Sequence, residues 1–131
     1  MPTEVAQALP AVPIVVVVDD DPAVCSSLKF SLELEGFSVR TYGSAAEFLK
    51  VGLENANCLI VDQRMPAMTG IELIAKLRAT NISTPAILIV SQPNVAINAR
   101  AARMGASVVE KPFLGNGLVQ EIRQACRPKA E

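Results

Sequence analysis

Five times along the chain a short apolar run without polar alternation is followed by a stretch with helical spacing, and few folds accommodate that repeat. Ile14 to Val18 is continuous and β-branched; Val24, Leu28 and Leu32 then recur at four-residue spacing until Gly36. Phe37 to Thr41 predicts a second strand, and Ser44-Ala45-Ala46-Glu47 has the form of a capping box opening a helix that carries Phe48 and Leu49. Cys58 to Val61 predicts a third strand. A loop containing Pro66 follows, then Thr69-Gly70-Ile71-Glu72 as a second capping box ahead of Ile74 and Leu77. Pro85 to Val90 predicts a fourth strand and Val95 to Met104 a fourth helix, closed by Gly105. Val108 and Val109 mark a fifth strand; Leu118, Ile122 and Ala125 mark a last amphipathic helix.

Strands that are apolar on both faces and separated by helices predict a parallel sheet covered on both sides, because right-handed crossovers place helices on each face. The expected class is α/β, a single doubly wound (βα)₅ domain over residues 14–127, with a loose leader at 1–13 and a short tail at 128–131. In such sheets ligands bind beyond the carboxyl ends of the strands. The polar residues at those ends are Asp19-Asp20-Asp21, Asp62, Ser91 and Glu110-Lys111-Pro112.

Composition narrows the chemistry. With 131 residues, one core suffices to fold the chain, and a net charge of −1 without a dense basic patch argues against direct nucleic-acid contact. The absence of histidine removes the commonest general base, Ser/His and Cys/His nucleophile pairs, and any phosphohistidine carrier. Cys25, Cys58 and Cys126 lack metal-site or disulfide spacing and read as reduced thiols, Cys58 in the core. No run reaches the length of a membrane helix, and no Lys or Arg precedes Lys29, so a soluble, cytoplasmic protein is expected.

Three carboxylates at neighbouring strand ends repel one another unless a cation lies between them, and a hard ion such as Mg²⁺ suits oxygen ligands of this kind. A metal-bound carboxylate can act as a nucleophile towards phosphorus and form an acyl phosphate. Lys111 offers a second positive charge, and Ser91 a hydroxyl for a phosphoryl oxygen. Each residue also has an ordinary reading alone. An acidic triplet before Pro22 caps a helix, and Asp21 is expected to do only that; Asp62 suits a turn, Ser91 the start of a helix and Lys111 a solvated surface.

Taken together, Val17-Val18-Asp19-Asp20-Asp21-Pro22, Val61-Asp62-Gln63-Arg64-Met65-Pro66, Val90-Ser91 and Glu110-Lys111-Pro112-Phe113 resemble the response-regulator receiver family of two-component signalling, over nearly the whole chain after residue 13. The resemblance implies a flavodoxin-like strand order of 2-1-3-4-5. It also implies Asp62 as phosphoacceptor, Asp20 as direct Mg²⁺ ligand with Asp19 acting mainly through water, and the Arg64 backbone carbonyl as third protein ligand. Ser91 becomes the switch hydroxyl, Lys111 the phosphoryl counter-ion, and the peptide before Pro112 is expected to be cis. The implied role is a phosphorelay switch rather than an enzyme. A histidine kinase or histidine phosphotransfer protein donates the phosphoryl group, and the surface of helix 4, strand 5 and helix 5 addresses an output partner, a linked output domain or a second copy in a homodimer. Three positions depart from the family pattern: Val108 stands where an aromatic is usual, long Gln92 where a small residue is usual, and Pro93 follows it. Those departures motivate an alternative, a degenerate receiver that binds a partner without phosphorylation. A second alternative is a small Mg²⁺ phosphohydrolase of the haloacid-dehalogenase type, built on Asp19 and Asp21.

Overall fold

The computed structural model describes residues 12–53, 55–111 and 117–126. The apolar runs form five strands, β1 (Ile14–Val18), β2 (Ser38–Tyr42), β3 (Cys58–Asp62), β4 (Ala86–Val90) and β5 (Ala106–Glu110). Between and after them lie α1 (Pro22–Leu34), α2 (Ala45–Val51), α3 (Gly70–Ala79), α4 (Val95–Arg103) and α5 (Gly117–Ala125). All four strand pairings are parallel, and the order is β2-β1-β3-β4-β5, as expected from the resemblance.

Burial explains why the central strands carry no polar alternation. Every residue of β3 and β4 is buried, because side chains on both sheet faces meet helices. On one face Val16, Val18, Leu59, Val61 and Leu88 pack with Phe48 of α2 and with Ile71, Ile74 and Leu77 of α3. On the other, Val15, Val17, Ile60, Ile87 and Ile89 pack with Leu28 and Leu32 of α1 and with Leu118 and Ile122 of α5.

Helix starts follow the cap chemistry with one difference. Thr69 and Glu72 complete a reciprocal capping box on α3. Ser44 accepts from the Glu47 N–H at 3.0 Å, but Glu47 reaches one residue further back and accepts from the Gly43 N–H at 2.9 Å. β2 is shifted by one residue from the sequence expectation: the Phe37 N–H bonds to the Leu32 carbonyl and closes α1, so pairing with Ile14 starts at Ser38. β4 starts after Pro85, which has no N–H to give but accepts from Leu59 through its carbonyl. β3 runs on through Asp62, which pairs with Ile89, and β5 extends from Ala106 to Glu110. Residues 1–11 of the expected leader, the Pro112 peptide bond, Phe113 and the expected tail lie outside the described residues. Among the described residues no helix is long and apolar enough to cross a membrane.

Candidate functional site

The carboxyl ends of β1, β3, β4 and β5 open into a cleft of about 910 Å³ lined by Asp19, Asp20, Asp62, Arg64, Ser91 and Lys111. Gln92 and Ile97 line it too. All the residues singled out for metal and phosphoryl chemistry therefore converge; Asp21 lines the cleft as well, and one of its carboxylate oxygens caps α1 by accepting from the Ala23 N–H at 2.9 Å.

Carboxylate oxygens of Asp19, Asp20 and Asp62 lie within 4.8 Å of one another. Asp19 and Asp62 are buried, and Asp20 is exposed. Burial pushes the Asp19 carboxyl above its usual range, and the Asp62 charge adds to this; the hydrogen bond it accepts from the Asp21 N–H at 2.9 Å opposes it. Lys111 closes the site from β5, its Nζ 2.9 Å from Asp62 Oδ1. Partial burial works against the lysine's charge, but its hydrogen bond to Asp62, with the further charges of Asp62, Asp19 and Asp21, raises its pKa on balance.

Asp62 is held by its neighbours in ways the sequence did not signal. The Gln63 N–H bonds to Ile89, the Gln63 carbonyl accepts from Gly70, and Gln63 Oε1 accepts from the Ile71 N–H, pinning the start of α3 against the end of β3. The contact is close enough that a Cβ on Gly70 would sit 2.6 Å from the Asp62 carbonyl oxygen. Between them the chain turns sharply at Ala67, whose φ is 70° and which is bridged by a 2.7 Å bond from the Met68 N–H to the Pro66 carbonyl. A γ-turn of this hand is rare and strained, and strain of that kind collects beside functional sites. Val108 packs against the core on β5, partly buried, with no ring to move.

The chain is similar to known signalling proteins over the same residues. The model of the response regulator receiver domain matches residues 15–123. Transcriptional regulatory protein FixJ of Azorhizobium caulinodans is 35% identical over 117 residues, covering 88% of this chain and 56% of that protein. The C4-dicarboxylate transport transcriptional regulatory protein DctD of Rhizobium meliloti is 35% identical over 117 residues, covering 88% of this chain and 25% of that protein. The crystal structure of FixJ-N superposes with a TM-score of 0.80 at 34% identity, covering 89% of this chain and 95% of that one. This chain thus spans about half the length of the FixJ relative and a quarter of DctD. With all of the sheet but Ile14 and every wall of the carboxylate cleft inside the matched residues, the chain belongs to the response regulator receiver domain family.

Proposed function

We propose that this receiver is switched by transfer of a phosphoryl group to Asp62, in a reaction that needs Mg²⁺ at the corner formed by Asp19, Asp20 and Asp62. The observation that carries the reading is Asp62 itself: a carboxylate only 6% exposed, lining an open cleft, with a lysine ammonium 2.9 Å away and two further carboxylates beside it. Two of these three neighbouring carboxylates are buried, an arrangement a cation would favour; the Asp19 carboxyl is raised chiefly by burial, with a smaller contribution from the Asp62 charge.

The donor set fits Mg²⁺. Ligand oxygens around an octahedral Mg²⁺ are about 3 to 4.2 Å apart. A set within 4.8 Å needs only a small closure, or a water between Asp19 and the ion. Asp20, Asp62 and the Arg64 backbone carbonyl would hold the ion directly. Bound there, it supplies positive charge to the oxygens of the transferring phosphoryl group.

The chain's own groups then act in order. An Asp62 oxygen attacks the phosphorus of a phosphohistidine on a kinase or phosphotransfer protein; the P–N bond breaks and the electron pair stays with the departing imidazole. Lys111, already hydrogen-bonded to Asp62 Oδ1, moves its charge to a phosphoryl oxygen. Ser91 donates its hydroxyl to another, drawing in the loop between β4 and α4. The new group carries about −1.5 to −2 charges, enough to re-order that loop. The affected face, α4, β5 and α5, addresses the output partner or a linked output domain. Because Val108 has no ring to flip, the signal passes through Ser91, Gln92 and the first turn of α4.

The test is intact mass after incubation with Mg²⁺ and acetyl phosphate. The parent gains one phosphoryl mass and Asp62→Asn gains none. A folded parent that binds Mg²⁺ but stays unmodified by both acetyl phosphate and phosphohistidine donors supports the phosphorylation-independent binding module instead.

A further inference from the structure

Helix α4 is held to the rest of the domain by few contacts. Of its nine residues only Ala101 is buried, with Ile97 and, at the cap, Met104 partly buried against the core, and Val95 at its start is 85% exposed. Its neighbour α3 buries Gly70, Ile71, Leu73, Ile74 and Leu77. A helix with so little buried apolar surface shifts or opens more readily than one packed like α3. The two ends of α4 differ. Its first turn stands beside the carboxylate cleft, which Ile97 lines, and is capped by the exposed Asn94 side chain accepting from the Ile97 N–H at 2.9 Å. Its last turn lies at the opposite end of the sheet, where Gly105, at φ 68°, turns the chain into β5.

At that far end a half-buried arginine of α3 grips the helix. Arg78 donates from Nε to the Met104 carbonyl at 2.8 Å and from Nη1 to the Ile82 carbonyl at 2.9 Å. Met104 is the C-cap of α4, so its carbonyl is among those a helix leaves without an internal partner, at the end where the helix dipole favours a positive charge. The Ile82 carbonyl belongs to a tightly closed turn. The Ile82 N–H bonds to the Leu77 carbonyl and the Asn81 N–H to the Arg78 carbonyl, with Asn81 at φ 66°, a Schellman closure of α3. Among the described residues no carboxylate forms an ion pair with the guanidinium, so its two bonds to carbonyls set its orientation.

We propose that Arg78 is a positioning residue of the switch, a latch that fixes the C-terminal end of α4 so that the helix swings from its first turn when the loop between β4 and α4 is drawn in. The trigger of the swing rests on the proposed phosphorylation of Asp62, whereas the latch is present without it.

The lever is short but sufficient. At about 1.5 Å per residue α4 is roughly 14 Å long, and a rotation of about 10° around its last residue carries its first turn about 2 Å. Without the latch, Met104 loses its donor, the last turn frays, and a pull at the first turn displaces the whole helix.

Amide hydrogen exchange on the full chain, followed residue by residue by NMR, tests this in two arms. In the unlabelled protein, Arg78→Met keeps an unbranched stem but has no donor. It should speed exchange of the Met104 and Gly105 amides, which bond to Ala101 and Ala102, about tenfold or more while Val16 and Ile60 in the sheet keep their rates. Arg78→Lys keeps the charge but lacks the planar fork, and should fall between the two. With Mg²⁺ and excess acetyl phosphate, exchange in the parent should change from Gln92 to Asn98 and stay constant at Met104 and Gly105, whereas in Arg78→Met the change should reach both. Unchanged rates at Met104 and Gly105 in unlabelled Arg78→Met overturn the proposal, as does a uniform rise over the whole chain, which would make Arg78 a general stabiliser. So does a labelled parent in which Met104 and Gly105 respond as strongly as Asn98. A parent that never takes the group on Asp62 sinks the phosphorylation reading and the swing with it, while the first arm still decides the latch.

Discussion

Replacing Gly70 with alanine tests how Asp62 is held. Gly70 is the first residue of α3, and an added Cβ would lie 2.6 Å from the Asp62 carbonyl oxygen, 3.0 Å from its carbonyl carbon and 2.7 Å from Leu88 Cδ1. Leu88 can rotate, but the Asp62 carbonyl belongs to a strand buried on both faces. Restoring an ordinary contact of 3.4 Å requires about 0.8 Å of movement at the oxygen. Overpacking of this kind costs about 1–3 kcal/mol. Helix propensity returns at most about 1 kcal/mol for Gly→Ala. A net loss of about 1–2 kcal/mol lowers Tm by roughly 3–10 °C in a domain of this size. If Asp62 is the nucleophile as proposed, its displacement by nearly an ångström should also slow phosphorylation about tenfold or more. Gly117→Ala is the control, since Gly117 is also the first residue of a helix but a Cβ there meets nothing within 4 Å. It should be neutral or raise stability by about 0.4–1 kcal/mol. Thermal melting and the initial rate of acetyl phosphate labelling read both effects. If Gly70→Ala is as stable and as fast as the parent, α3 does not position Asp62 as argued.

Three further outcomes follow from the site. In metal-free buffer the Asp19 carboxyl, raised by burial and then by Asp62, holds its proton in the fold above the pH at which the unfolded chain, with a value near 3.8, releases it. Its contribution to stability is full below that unfolded value and is lost as pH rises through the folded one, so Asp19→Asn should flatten this part of a stability-versus-pH curve measured by urea unfolding. Adding Mg²⁺ at about 100 times its Kd should stabilise the parent by about 2.7 kcal/mol, and thermal shift should show most of that gain lost in Asp20→Asn, whose side chain is exposed and does not carry the fold. Lys111→Met leaves the buried Asp62 carboxylate without its partner and should cost about 1–3 kcal/mol. Combining it with Asp62→Asn should recover part of that loss, since the two effects are coupled, and a double-mutant cycle by urea unfolding measures the recovery.

What the sequence disclosed follows from which interactions are local. Runs such as Cys58–Val61 and Pro85–Val90 announce their strands because burial on both faces leaves no room for polar alternation. β5, at the sheet edge, is harder to delimit: Ser107 and Glu110 are exposed, and only Val108 and Val109 stand out. Phe37 looks like strand because it is buried and apolar, yet its N–H bond belongs to the end of α1. The site residues were legible because strand ends in a doubly wound sheet all face one edge, so Asp19, Asp20, Asp62, Ser91 and Lys111 need no contact information to be grouped. Gln63 and Gly70 were missed because what they do depends on distances between segments. The glycine required here has no positive φ, and only the 2.6 Å approach to Asp62 explains it.

The most direct test of the central claim is to locate the phosphoryl group. Borohydride reduction of the protein after labelling with acetyl phosphate and Mg²⁺ cleaves an acyl phosphate and converts the acceptor aspartate to homoserine, which peptide mass spectrometry places in the sequence. The account predicts homoserine at position 62, dependent on Mg²⁺. Homoserine at position 19 or 20 instead, or a folded, Mg²⁺-loaded protein that never yields it, would contradict the account.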